Sequence, residues 1–80
     1  MTSGRMTIEI YTRGPCQYSA AAKRLLEKRQ QPYKEIEMSD GLAQEMMEQT
    51  GQSTTPIVFV DGNHVGGFDE LVELDQDGKL

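Results

Sequence analysis

The chain has 80 residues, of which 36% are hydrophobic and 26% are charged, and its formal net charge at pH 7 is −5. This length permits one domain with one small core, and the composition is that of a globular protein. No apolar run reaches the length of a transmembrane helix and no signal peptide opens the chain, so we expect no membrane association. The acidic balance and the lack of interleaved basic and aromatic residues argue against nucleic acid binding.

The first five residues are polar, and we interpret residues 1–5 as a leader or an expression remnant ahead of a domain over residues 6–80. Cys16 is the only cysteine in the sequence, so the chain cannot form an internal disulfide and its core must depend on packing. A lone cysteine of this kind favours a reducing compartment, and we expect a cytoplasmic protein.

The first half of the chain predicts a strand–helix–strand unit. Ile8 and Ile10 alternate with a glutamate, as in a short strand. Apolar residues recur at helical spacing over 18–26, and Pro32 ends this helix because proline disfavours helical geometry in the residue before it. The range 33–38 alternates again. This order implies parallel strands joined by a right-handed crossover.

A second helix is predicted after the second strand. Ser39 or Asp40 can cap its start, and Gly51 provides its C-terminal stop. We interpret its methionines, Met46 and Met47, as core filler rather than as a metal or partner site.

The last part of the chain predicts a hairpin followed by a helix. The unbroken apolar run over 57–60 suits a strand covered on both faces, and Asp61-Gly62 is a strong turn signal before a returning strand at 63–65. Gly66-Gly67 interrupts the chain before a final helix that Asp69 can cap. The predicted order is β-α-β-α-β-β-α, an α/β domain with a mixed four-stranded sheet.

The chemistry of the chain is predicted at the turn between the first strand and the first helix, where Cys16 lies. A thiol at a helix start meets unpaired backbone N–H groups and the positive end of the helix dipole, and both favour the nucleophilic thiolate. Arg13 is positioned to add a second positive influence. A small buried cysteine is the alternative, but Gly-Pro before Cys16 and polar residues after it favour an exposed, reactive thiol.

Several motifs in the expected order make the chain similar to the glutaredoxins of the thioredoxin superfamily. Cys16-Gln17-Tyr18-Ser19 follows a strand, Thr55-Pro56 precedes the third strand, and an Asp-Gly hairpin leads to Gly66-Gly67-Phe68-Asp69. A lone Cys-x-x-Ser would be weak evidence, whereas the whole set covers nearly all of the range from 6 to 74. The resemblance implies a thioredoxin-like fold, a cis peptide bond before Pro56, and glutathione as the small-molecule partner.

The resemblance also implies which residues would bind glutathione, namely Arg13, Tyr18, Gln52, Thr55, Pro56, Gly67, Phe68 and Asp69. In the family's arrangement the residue before the cis proline offers its backbone N–H and C=O to the peptide, as in strand addition, and a tyrosine at position 18 would border the thiol groove.

The two ends of glutathione would be held by charge. Arg13 would meet the glycyl carboxylate, with Gln52 as a weaker candidate. Over 67–69, backbone N–H groups would bind the γ-glutamyl carboxylate and the Asp69 carboxylate would bind the ammonium. Taken alone, Asp69 is equally well explained as a helix cap, and His64 as a hairpin surface residue rather than a metal ligand.

Ser19 stands where the dithiol members of the family carry a second cysteine, which resolves the mixed disulfide formed by the first. A serine hydroxyl cannot form a disulfide, so intramolecular resolution is lost. Either the serine is natural or it replaces a cysteine to trap an intermediate. Other members carry Cys-Gly-Phe-Ser and hold iron–sulfur clusters between two subunits, but Gln17-Tyr18 does not match Gly-Phe.

The leading hypothesis is a glutathione-dependent thiol–disulfide oxidoreductase, monomeric and without a metal, that acts by a monothiol route on glutathionylated proteins or small mixed disulfides. A second hypothesis is a homodimeric [2Fe–2S] cluster carrier, with Cys16 and glutathione thiolates as ligands. A third is a non-catalytic binding module that keeps the glutathione groove. A Cys-to-Ser trapped variant of a dithiol glutaredoxin is the remaining alternative.

Overall fold

The computed structural model describes residues 6–80, and the proposed leader at 1–5 lies outside the described residues. The elements follow the predicted order and are β1 (Ile8–Thr12), α1 (Gln17–Lys28), β2 (Tyr33–Glu37), α2 (Asp40–Thr50), β3 (Ile57–Val60), β4 (Asn63–Gly66) and α3 (Phe68–Gln76). No helix in the range 6–80 is both long enough and apolar enough to cross a membrane.

The four strands form one mixed sheet in the order β2-β1-β3-β4, which confirms the predicted architecture. β1 runs parallel to β2, whereas β3 runs antiparallel to both β1 and β4. Tyr11 near the end of β1 therefore pairs with Ile57 at the start of β3. This register brings the segment that follows β1 beside the segment that precedes β3. Cys16 and Thr55 therefore meet at one end of the two central strands.

One face of the sheet packs against α1 and α3. Ile8, Ile10 and Val58 point to this face and form a cluster with Leu26 of α1 and Leu71 of α3, each at most 2% exposed. The alternation of buried and half-buried residues along β1 explains why every second residue contributes to this cluster.

The other face of the sheet packs against α2. Ile57 is fully buried there against Met38, Ala43 and Met46, and the half-buried Tyr11 packs against the same cluster. β3 thus sends neighbouring residues into both clusters, as its unbroken apolar run predicts. The methionines of α2 pack in or against the core, in keeping with their interpretation as filler.

The ends of α2 form as the sequence predicts. Ser39 is the N-cap, and its Oγ accepts a hydrogen bond from the backbone N–H of Leu42 at 3.3 Å. Gly51 closes the helix with φ of 74°, in the left-handed region that glycine adopts without strain. In the turn between β3 and β4, Asp61 and Gly62 both have positive φ, as the predicted tight hairpin requires.

The start of α3 differs from the prediction that Asp69 caps it. The N-cap is Gly67, and Asp69 is already the second residue of the helix. The backbone N–H of Gly67 instead donates to Oε1 of Glu70 at 2.7 Å, so a carboxylate three residues downstream satisfies this donor. Gly66 has φ of 140°, which other residues rarely adopt, and a Cβ there would lie 2.6 Å from the Glu70 side chain, so glycine is favoured at this position.

Candidate active site

Cys16 is the N-cap residue of α1, and the loop before β3 covers its thiol. The Thr55 hydroxyl donates to Cys16 Sγ at 3.4 Å, and the thiol faces the Thr55 carbonyl oxygen at 3.8 Å. The Thr55–Pro56 peptide bond is cis, as the family resemblance implies, and Pro56 is buried. The side chain of Thr55 and the nucleophile are therefore direct neighbours although they lie 39 positions apart.

The pKa of the Cys16 thiol is lowered to about 7. The largest cause is the hydrogen bond from the Thr55 hydroxyl, followed by the backbone N–H of Ser19, while burial acts in the opposite direction. The Tyr18 N–H contributes as well, so the unpaired amides of the helix start stabilise the thiolate as predicted. A thiol with this pKa is roughly half ionised at neutral pH.

Arg13 does not provide the second positive influence that the sequence predicts. It is not among the groups that shift the pKa of Cys16. Its guanidinium instead pairs with the carboxylate of Asp40 at the start of α2. Both side chains are substantially exposed, and an exposed ion pair contributes little to stability, so this contact leaves Arg13 free to exchange partners.

Ser19 lies one helical turn after the nucleophile and is only 3% exposed. Its hydroxyl makes only a minor contribution to the lowered pKa of Cys16, and within residues 6–80 its Oγ makes no hydrogen bond of good geometry. An unpaired buried hydroxyl is unusual in a folded protein. Position 19 therefore combines burial with proximity to the thiol, as a resolving cysteine would require.

A groove of about 520 Å³ opens beside the thiol loop, within the size range of small-molecule sites. Tyr18, 54% exposed, and Phe68 form an aromatic rim, with ring centroids 6.3 Å apart. The groove is lined by Tyr18, Thr50, Gly51, Gln52, Thr54, Thr55, His64, Val65, Gly66, Gly67, Phe68, Asp69 and Glu70.

The structure brings most of the predicted glutathione residues together. Six of the eight line the groove, namely Tyr18, Gln52, Thr55, Gly67, Phe68 and Asp69. Pro56 is buried behind it. Arg13 lies apart, in a shallow depression along α2 that it shares with Asp40 and Met47.

The helix start at the far end of the groove presents two backbone donors. The Gly67 N–H is already bonded to Glu70, so it is not free for a ligand carboxylate. The N–H groups of Phe68 and Asp69, as the first two residues of α3, have no intrahelical acceptor. Sequence reasoning missed Glu70, although the spacing of a capping glutamate three residues after the N-cap was the available signal.

Gln52 lines the groove, but its amide is committed to the protein. Its Nε2 donates to the carbonyl oxygens of Thr54 at 2.9 Å and Pro56 at 2.8 Å, and its Oε1 lies 2.8 Å from Nε2 of His64. Both amide hydrogens are therefore occupied. No sequence pattern predicts this arrangement, because two of the three partners are backbone carbonyls.

A thiol of lowered pKa at a helix start, beside a cis-proline loop on a mixed four-stranded sheet, defines a thiol redox protein with a thioredoxin-like fold. The glutaredoxin family model matches residues 8–65, and the chain belongs to this family. Glutaredoxin 1 of Rickettsia typhi is 44% identical over 78 residues, which cover 92% of this chain and 75% of the relative. Glutaredoxin 3 of Escherichia coli is 37% identical over 75 residues, which cover 91% of this chain and 90% of the relative.

Solved glutaredoxin structures agree with this assignment. The solution structure of glutaredoxin from Brucella melitensis matches with a TM-score of 0.82 at 37% identity. The match covers 99% of this chain and 88% of the Brucella chain. A buckwheat glutaredoxin–glutathione complex matches with a TM-score of 0.83 at 34% identity. The match covers 94% of this chain and 73% of the buckwheat chain.

Proposed function

We propose that the chain is a glutathione-dependent thiol–disulfide oxidoreductase that reduces glutathione mixed disulfides by a monothiol route. The observation that carries this proposal is the Cys16 thiol, with a pKa of about 7, beside a groove large enough for a short peptide. The similarity to a buckwheat glutaredoxin solved as a glutathione complex supports glutathione as the peptide.

The reaction consists of two thiol–disulfide exchanges. The Cys16 thiolate attacks the glutathione sulfur of a mixed disulfide, the substrate S–S bond breaks, and the target leaves as a thiolate that takes a proton from water. A second glutathione thiolate then attacks the glutathionyl sulfur on Cys16. This step releases glutathione disulfide and regenerates the Cys16 thiolate. In the net reaction the target sulfur is reduced to a thiol, and the sulfur of the second glutathione is oxidised into glutathione disulfide.

The groove suggests a role for each of its ends. The backbone of Thr55 would pair with the peptide next to the thiol, and the free N–H groups of Phe68 and Asp69 would bind the γ-glutamyl carboxylate. The Asp69 carboxylate is exposed at the same end and would bind the ammonium. Arg13 would bind the glycyl carboxylate after leaving Asp40.

Turnover of a small glutathione mixed disulfide, with glutathione as reductant, tests the proposal. Cys16→Ser is expected to abolish turnover and to keep the parent's circular dichroism spectrum, because Cys16 lies outside both core clusters. Turnover near the parent level in Cys16→Ser would overturn the proposal. Glutathione binding without turnover in the parent protein would instead identify a binding module.

The cluster-carrier hypothesis depends on groups beyond this chain. Cys16 is the one thiolate available, whereas such a cluster requires four. No group of three or more histidine, cysteine or acidic side chains in residues 6–80 is arranged to hold a metal. The visible absorption spectrum of protein purified without oxygen, with glutathione present, tests this hypothesis. Cytoplasmic localisation and the monomeric state stay predictions.

A further inference from the structure

Gln52 bridges the two peptide groups that flank Thr55. Its Nε2 donates to the carbonyl before Thr55 and to the carbonyl of Pro56 after it, at 2.9 and 2.8 Å. The bond to Pro56 is partly buried, so water competes for it less than at an open surface. The bridge therefore fixes the backbone on both sides of the residue that contacts the nucleophile.

His64 contacts the oxygen end of this bridge, at 2.8 Å. With both hydrogens of the amide nitrogen directed at carbonyls, Oε1 can only accept, so Nε2 of His64 must carry a proton.

The contact between Thr55 and Cys16 depends on placement. Its 3.4 Å distance is acceptable for a sulfur acceptor, and the hydroxyl comes from a loop residue outside both core clusters. We propose that Gln52 is a positioning residue that acts through Thr55: by bridging the carbonyls of Thr54 and Pro56 it holds the Thr55 hydroxyl within hydrogen-bonding distance of the Cys16 sulfur. This inference rests on the proposed function in taking Cys16 as the nucleophile.

Other groups around the thiol do not account for its ionisation. The titratable side chains that line the groove are Tyr18, His64, Asp69 and Glu70, and Arg13 lies before α1. Within residues 6–80, none of these side chains is among the causes of the lowered pKa of Cys16, which are hydrogen bonds from the side chains of Thr55 and Ser19 and from the backbone of Ser19 and Tyr18. A residue that places Thr55 is therefore expected to act on the thiol more strongly than a nearby charge.

The test compares Gln52→Met, which keeps the length of the side chain and removes its polar groups, with Gln49→Met as a matched control on the exposed side of α2. The readout is the thiol pKa from the pH dependence of iodoacetamide alkylation, which needs no glutathione. We expect Gln52→Met to raise this pKa by roughly half a unit to one unit, since the charge-assisted bond is weakened, and Gln49→Met to leave it unchanged. Gln52→Leu is measured in the same way should the methionine variant not fold.

A double-mutant cycle decides whether Gln52 acts through Thr55. In a Thr55→Val background the hydroxyl is absent, so Gln52→Met is expected to cause no further rise in the pKa. An unchanged pKa in Gln52→Met, or a rise that persists in the Thr55→Val background, would overturn the inference. A ligand role for Gln52 would instead raise the KM for glutathione at an unchanged thiol pKa. Absence of turnover in the parent protein, together with the expected pKa pattern in the variants, would reject the proposed function and keep the inference.

Discussion

Thr55→Val tests the contact on which the reactivity of the thiol depends. Valine keeps the branched shape of threonine and replaces the hydroxyl, which is the largest cause of the lowered pKa of Cys16, with a methyl group. A hydrogen bond to a charged group is worth about 1.5 kcal/mol at the low end of its range, and one pKa unit corresponds to about 1.4 kcal/mol. The pKa of Cys16 should therefore rise from about 7 to roughly 8.

This rise changes reaction rates in opposite directions at low and high pH. At pH 7 the thiolate fraction falls about fivefold, but the more basic thiolate is about threefold more nucleophilic, so exchange with a small disulfide slows only about twofold. At about pH 9 and above both proteins are largely thiolate, and the variant should react about threefold faster. The two pH–rate profiles are therefore expected to cross at roughly pH 7.5.

The assay is single-turnover reaction of the reduced protein with a small symmetrical disulfide, followed across the whole pH range. Thr55→Ser, which keeps the hydroxyl, is the control and should follow the parent profile. Superimposable profiles for the parent and Thr55→Val would refute the role of the hydroxyl. A Thr55→Ser profile that matches Thr55→Val would show that packing rather than the hydroxyl sets the pKa.

Three further outcomes concern the groove, position 19 and stability. Asp69→Ala should raise the KM for glutathione roughly tenfold and leave the melting temperature unchanged, whereas Glu70→Ala should lower the melting temperature because it removes the bond to the Gly67 N–H; the reverse pattern would make Asp69 structural. Ser19→Cys should form an internal disulfide with Cys16 on oxidation and acquire activity on protein disulfides, since an internal thiol acts at a high effective concentration; failure to form that disulfide would contradict their adjacency. Because folding depresses the pKa of Cys16 from 9.0 to about 7, its contribution to stability is fully present above pH 9 and is lost as the pH falls through 7. As the pH is raised from 7 to 9, the free energy of unfolding of the parent, measured by urea titration, should therefore increase relative to that of Cys16→Ser. A difference between the two proteins that stays constant with pH would contradict the depressed pKa.

The fold was predictable because its determinants are local. Alternation along β1, the Ser39 cap, the Gly51 stop and the Asp61-Gly62 turn each depend on residues within a few positions of one another. The thiol at a helix start was predictable for the same reason.

The site differs from the prediction where partners are distant or compete. The Thr55 hydroxyl reaches Cys16 across 39 positions, through the register of β1 and β3, and no local pattern encodes this contact. Arg13 pairs with Asp40, which is 27 positions away, instead of facing the thiol. Asp69 does not cap α3, because the helix already begins at Phe68 with Gly67 as its N-cap.

The physical origin of the lowered pKa also predicts its response to salt. Hydrogen bonds from Thr55 and the α1 amides act at contact distance and are screened little by ions, whereas a contribution from exposed Arg13 would weaken as ionic strength rises. The chain carries a net charge of −5, and screening this repulsion lowers the pKa of a thiol slightly. Raising the salt concentration should therefore leave the pKa of Cys16 unchanged or lower it slightly, while loss of an Arg13 contribution would raise it. Alkylation profiles of the parent and of Arg13→Gln at low and high salt distinguish the two cases. A pKa that rises with salt in the parent and not in Arg13→Gln would show that the cation, rather than the hydroxyl and the helix amides, sustains the thiolate.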